Sequence, residues 1–309
     1  MIGHDLGNLS EPVFLRNLII IPIRENGNSG NGLNVSTIDD IIRSKKGNIS
    51  ELDAPTVDEV IFNNEGDEPV LMLDGEEITG AMQNRIIAVS DLVEAKSAQS
   101  VPVVCVEEKR WDEIGGFRTG YCSYPRIRAI LAQSRYKKID KQQVIWQEID
   151  RKLTVTKTAS KTSSMHDIYE NLQDEVDRYL EGFENLNHHT IGIIGAAGSK
   201  ILGCDLFQSP EIYRKFEKKL IRSYALDAIE YQRARGARPE AHGFFKAVTD
   251  GLDRKKSRNR IVHKRIKGKG FLGQALVYNN NMLHLSAFPY SASSLYSGNQ
   301  ISDAFKNPR

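Results

Sequence analysis

The sequence predicts an α+β fold: a mostly antiparallel β-sheet or sandwich core with a central helical segment packed on it. Three observations predict it. Short β-branched runs broken by turn residues fill residues 14–111, helical spacing takes over from about 125 to 236, and strand-like runs return over 260–288. No internal repeat divides the chain. These three stretches are therefore expected to build one domain over residues 1–289, with a loose serine- and asparagine-rich tail over 290–309. A division into two domains near Pro125 is the alternative.

The elements follow in order. Phe14–Ile23 (FLRNLIIIPI) reads as a buried strand, and the glycine- and asparagine-rich stretch after it as loop. Ser36–Arg43 suits one or two helical turns. Val57–Asn63 and Pro69–Leu73 read as strands around a turn at Asn64–Asp67, and Gln83–Ala95 and Ser100–Glu107 as two more. After Pro125, Arg126–Gln133 and Lys141–Leu153 read as helices, followed by a polar loop rich in threonine, serine and lysine. Ser164 and Asp167 have capping-box spacing. Met165, Ile168, Tyr169, Leu172, Val176, Leu180 and Phe183 then repeat at helical intervals, with Gly182 as an end signal.

Thr190–Phe207 reads as a hairpin turning near Ala197-Gly198, and its glycines lack dinucleotide-fold spacing. Ser209-Pro210-Glu211 combines a cap, a proline at the first helical position and an acid at the positive end of the dipole. The helix it starts should bury Ile212, Phe216, Leu220, Tyr224 and Ala228 and end near Gly236. A helix over His242–Leu252 and strands over Phe271–Tyr278 and Met282–Phe288 complete the chain.

Composition narrows the function. With 42 Lys and Arg against 40 Asp and Glu, the formal charge is +2, which argues against a general nucleic-acid binder. The 3 cysteines, Cys105, Cys122 and Cys204, are too few and scattered for a disulfide framework or zinc knuckle. No apolar run approaches the roughly 18 residues of a membrane span, and no signal peptide is evident, so a cytoplasmic protein is expected. No histidine and cysteine pattern points to a metal.

Chemistry concentrates between Gly75 and Trp111. Two polar clusters interrupt apolar strand sequence there: Glu76-Glu77 with Gln83-Asn84-Arg85, and Glu107 with Arg110-Trp111. Strand alternation puts Val101, Val103, Cys105 and Glu107 on one face, so Glu107 ends an apolar row where a carboxylate needs a partner. Either it pairs with Arg85 or Arg110 to close a sheet edge, or the clusters converge on a pocket for a polar ligand. Glu76 and Glu77 can act as a pair only if a turn brings both to one side.

GEEITGAMQNR (Gly75–Arg85) followed by VPVVCVEEKRW (Val101–Trp111) resembles the ARG- and rhodanese-phosphatase-superfamily-associated protein domain. Ile145-Trp146, Gly192, the CDLF run and the HLSAF run fit its pattern more loosely, and the resemblance covers roughly Leu18–Phe288. Lys109 departs from it, standing where that family often has glycine. Such domains are encoded beside ADP-ribosylglycohydrolases and related enzymes, some in loci read as prokaryotic immune systems. The resemblance thus implies a nucleotide ligand derived from ADP-ribose or NAD, or a partner enzyme that handles one, and assigns no catalytic residue.

On that implication, Glu77 and Glu107 are the candidate acid/base carboxylates, with hydrolysis as the fitting reaction. Glu76 adds a polar contact, Gln83 and Asn84 read polar edges, Arg85 and Arg110 hold phosphate, and Trp111 offers a stacking face. The same residues fit a non-catalytic sensor equally well. A third class is an RNA-binding accessory using the run rich in lysine and arginine from Arg254 to Lys269. There Lys264, Arg265 and Lys267 are candidate phosphate ligands, with a small phosphorylated ligand ranked above nucleic acid. Against that stands a solvated strand edge protected by lysines. Cys105 reads as core, His188-His189 as a solvated pair, and His263 and His284 as structural.

Overall fold

The computed structural model describes residues 6–27, 32–52, 57–137, 139–181, 183–231, 239–252 and 255–290. The fold is α+β, with sheets that are antiparallel except for one short parallel pair.

The chain opens with β1 (Asn8–Leu9), β2 (Val13–Leu15) and β3 (Leu18–Arg24). The run expected to form one strand is thus a tight hairpin, in which Arg16 adopts φ 59° and lets β2 fold back on β3. Next come β4 (Ser36–Thr37), α1 (Ile38–Ser44) and β5 (Gly47–Ser50). Thr37 and Asp40 cap α1 reciprocally. β6 (Glu59–Asn64), β7 (Val70–Met72), β8 (Glu76–Thr79), β9 (Arg85–Ile87), β10 (Asp91–Val93), β11 (Ser97–Cys105) and β12 (Arg118–Cys122) follow. The expected strand over 83–95 is two short ones that join different sheets.

The helical middle comprises α2 (Pro125–Ser134), α3 (Lys141–Thr156), α4 (Met165–Asn171) and α5 (Gln173–Leu180). The single helix expected over 165–183 breaks at Leu172, whose φ −105° and ψ 13° leave the helical basin while the apolar spacing runs on unbroken. Periodicity reports which face is buried, not whether the axis bends. Then come β13 (Thr190–Ala197), β14 (Lys200–Phe207), α6 (Pro210–Ala228), α7 (Ala241–Asp250), β15 (Ile261–Gly268), β16 (Phe271–Tyr278) and β17 (Asn281–Pro289). Gly182, Gly236, Arg254 and the tail from 291 lie outside the described residues.

The largest sheet has 8 strands, in the order β1-β3-β13-β14-β17-β16-β15 with β2 added beside β3. The C-terminal strands therefore complete a sheet begun by the N-terminal ones. Apolar side chains cover both of its faces. Ile20, Ile193 and Leu283 meet the helical middle and α6, while Ile21, Ile194 and Leu285 meet Phe245 and Val248 of α7. Two-sided burial explains why β13 and β16 read as continuous apolar runs. At Gly195 a Cβ would lie 2.2 Å from the Tyr224 ring, so glycine there lets α6 lie close on the sheet. A 6-stranded sheet (β12-β8-β9-β11-β6-β5) and a 3-stranded one (β10-β7-β4) carry the Gly75–Trp111 segment beside it.

A buried ionic network joins these parts. The Arg128 guanidinium on α2 lies 3.2 Å from Asp74, ahead of β8, and 2.5 Å from Asp205 on β14. His284 Nε2 is 3.1 Å from Asp205, its Nδ1 is 2.9 Å from Ser90 Oγ, and Tyr224 and Ser286 donate to Asp205 and Asp74. Arg128, Asp74 and Asp205 are wholly buried. Burial alone would raise both aspartyl carboxyls, but Arg128 and His284 together more than offset it and hold them below the ordinary range.

Candidate functional site

The Gly75–Trp111 motif splits into four groups, and alternation along β8 is the reason its two neighbouring glutamates separate. Glu76 points inward, accepting from Leu73 N–H at 2.8 Å and lying 3.0 Å from Lys219, which also reaches Asp39. Burial raises the Glu76 carboxyl beyond what Lys219 offsets. Glu77 points the other way, so the neighbouring glutamates share no site. Arg85 forms a forked pair with Glu51 at 2.8 and 2.9 Å, below the Phe117 ring, and takes no part in the Glu107 cluster.

Glu107 is locked by its surroundings. It accepts from Arg110 at 2.7 Å and from Asn84 N–H at 3.0 Å. Arg110 also donates to the carbonyls of Ala81 (2.7 Å) and Asp112 (2.8 Å), and Gln83 donates to the Glu107 carbonyl at 2.8 Å. Burial would raise the Glu107 carboxyl, yet the bonds from Arg110 and Asn84 outweigh it and leave the group below the ordinary glutamate range. These four residues pin the turn over 80–84, where Ala81 has φ 43°. Trp111 stands clear of them with 46% exposure.

Glu77 carries the arrangement best suited to chemistry. A register shift where β12 pairs with β8 frees Tyr121 N–H, which donates to Glu77 Oε2 at 3.1 Å. At Gly120 a Cβ would sit 2.3 Å from that same oxygen, so only glycine admits the carboxylate here. His166, in the first turn of α4, places Nδ1 2.9 Å from Glu77 Oε2. The Glu77 side chain is 0% exposed and that of His166 30%, so the carboxylate backs a ring that reaches the surface. A proton on Nδ1 leaves Nε2 for the outside, 3.6 Å from Glu170. The bond from Glu77 holds the imidazole above its ordinary pKa despite partial burial. Tyr121 flanks His166 at 5.3 Å between ring centroids, stacks on Tyr169 at 4.3 Å and donates to Glu170 at 2.6 Å. Glu77 Oε1 is buried without a hydrogen-bond partner.

A buried carboxylate behind a half-exposed imidazole is an acid/base arrangement, because the carboxylate fixes the tautomer and stabilises the charged ring. The two candidate carboxylates flank the start of α4, Glu107 through its bridge to Ser164 and Glu77 through His166. An open cleft of about 520 Å³ lies elsewhere, along α1 between Asp40, Arg43, Lys46 and Glu68. Among the described residues no three His, Cys, Asp or Glu side chains are grouped to hold a metal ion, and no helix is long and apolar enough to cross a membrane.

In the basic run, Lys264 is buried and donates to the Lys255 carbonyl, whereas Arg265 and Lys267 lie on the exposed face of β15. Sequence reasoning passed over His166, Tyr121 and Gly120. Its signal was the Ser164 cap, which fixes His166 within the first helical turn, but its partner Glu77 lies 89 residues away.

A carboxylate-backed histidine on a mixed α+β fold is a pair of side chains able to move a proton, and it names no reaction. The family model of the ARG and Rhodanese-Phosphatase-superfamily-associated Protein domain matches residues 8–288, and the chain belongs to that family. No curated protein and no solved structure matches the chain.

Proposed function

We propose that this chain binds and hydrolyses a nucleotide derived from ADP-ribose or NAD at the surface where β8, β12 and α4 meet. The observation that carries the reading is the 2.9 Å contact between His166 Nδ1 and the buried Glu77 carboxylate. His166 transfers the proton through its outer nitrogen, Glu77 orients the ring and stabilises its charged form, and Tyr121 offers an aromatic wall for a base or ribose. Glu107, Asn84 and Arg110 serve as the frame that positions β8 and α4. The family association with ARG proteins supports the choice of ligand, and with it a setting in prokaryotic nucleotide signalling or immunity.

The test is to incubate the protein with ADP-ribose, NAD and cyclic ADP-ribose isomers and separate the products by chromatography. Turnover should fall roughly 100-fold or more in His166→Asn, within the range for general acid–base catalysis. Full turnover in that variant would remove the dyad from the chemistry. The second reading is a non-catalytic sensor or partner of an ADP-ribose-handling enzyme, favoured by the exposed Trp111 (46%) and Ile114 (57%) on one loop. It predicts nucleotide binding with no product.

A further inference from the structure

At the far end of α2, Arg135 and Arg265 form a second polar site. Arg135 Nη1 donates to Gln274 Oε1 at 2.8 Å, and Arg265 Nη1 donates to the Arg135 carbonyl at 2.8 Å. The Arg265 guanidinium lies 5.5 Å from the centre of the Tyr136 ring, and Arg265 stands directly opposite Gln274 where β15 pairs with β16. Four polar side chains, two just past the end of α2 and one each on β15 and β16, are thus linked.

Their donors and acceptors do not balance. Neither arginine has a carboxylate partner among the described residues, although 40 acidic residues are available in the chain. The carboxylate whose field reaches Arg135 is Asp74, which is bound by Arg128, Ser90 and Ser286. Burial, and then the charge of Arg265, hold the Arg135 guanidinium below its ordinary pKa. Beneath them Gln274 is 1% exposed, and its Nε2 and the Tyr136 hydroxyl are both buried without partners. The site therefore has surplus N–H and O–H donors and two guanidiniums without a carboxylate partner among the described residues. Buried donors without acceptors are costly unless a ligand completes them.

We infer that Arg135, Arg265, Gln274 and Tyr136 form a binding site for the phosphate or diphosphate group of a small molecule. Guanidiniums suit this ligand because their planar N–H pairs match phosphate oxygens in fixed geometry. One guanidinium bonds the glutamine and the second bonds the carbonyl of that same arginine, a small cluster that fits a compact multivalent anion better than an extended polyanion. Lys267, two residues along the same exposed face of β15, adds long-range attraction. The site stands apart from the Glu77–His166 dyad and does not depend on it.

Pyrophosphate is the probe, titrated into the full chain by calorimetry and thermal melting, with sodium chloride at equal ionic strength as the control. The wild type should bind pyrophosphate and melt higher than in chloride. Arg265→Gln should weaken binding by roughly tenfold or more, the worth of one charge-assisted bond. Its recorded bonds are to one carbonyl and one ring at an exposed sheet edge, so the variant is expected to fold. Arg265→Lys, which keeps the charge and loses the fork, should fall between the two. No stabilisation of the wild type over chloride, or equal affinity in Arg265→Gln, overturns the site. Tighter binding of a short single-stranded RNA than of pyrophosphate, with a steep salt slope, would assign the surface to nucleic acid and overturn the small-molecule reading.

Discussion

Replacing Arg110 with alanine separates frame from ligand contact in the Gly75–Trp111 motif. The Arg110 and Glu107 side chains are 10% and 6% exposed and 2.7 Å apart, so the pair is buried. Removing the guanidinium leaves the Glu107 carboxylate without its cation and takes one donor each from the carbonyls of Ala81 and Asp112. Breaking a buried pair from one side costs about 3–5 kcal/mol. At about 2–4 °C per kcal/mol for a chain of this class, the midpoint should fall by roughly 6–20 °C. The pH dependence has a fixed sign. The Glu107 carboxyl titrates below its ordinary range, so the pair contributes above the unfolded-state pKa and the contribution is lost as pH falls through the folded-state value. The gap between wild type and Arg110→Ala, followed by circular dichroism, should therefore narrow toward acid pH. Arg110→Lys should also melt low, because one ammonium cannot reproduce a fork held by several acceptors. A midpoint within about 2 °C of wild type for Arg110→Ala at neutral pH would refute the reasoning.

Three further outcomes follow from the same contacts. Arg128→Met leaves Asp74 and Asp205 buried without their shared cation. It should abolish cooperative melting or lower the midpoint more than Arg110→Ala does. Gly120→Ala places a methyl group 2.3 Å from Glu77 Oε2 and should displace the carboxylate. Its effect on nucleotide turnover should match that of Glu77→Gln while most stability is kept, and an unchanged rate would show that the close approach is immaterial. For His166 the folded pKa is raised, so its contribution is full below the unfolded-state value and is lost as pH rises through the folded one. The melting gap between wild type and His166→Gln should be larger near pH 6 than near pH 9, and a gap that widens with pH would contradict the assigned pair.

Much of this architecture is legible where the signal is local. The Ser209-Pro210-Glu211 start of α6 and the strand β16 fall where capping chemistry and a continuous apolar run put them. Tight reversals without glycine were not legible. Arg16 and Ala81 both take positive φ, and nothing in their residue type announces it. Within the motif, alternation foretold that Glu76 and Glu77 would face apart, and the Glu107–Arg110 pair was one of the two partnerships the sequence allowed. Arg85, expected beside them, instead finds Glu51 because its strand turns that face toward β6 and the segment after β5. The buried network around Arg128 joins residues as far as 212 positions apart, so no local pattern encodes it. His166 was hidden for the same reason.

The direct test of the Glu77–His166 reading is the titration of the His166 ring by NMR, in the wild type and in Glu77→Gln, with and without ADP-ribose. The wild-type midpoint should lie above the ordinary histidine value of about 6.5 and drop toward it in Glu77→Gln, and the ring resonances should move when ADP-ribose is added. A midpoint that ignores both the loss of the Glu77 charge and the nucleotide would contradict the account.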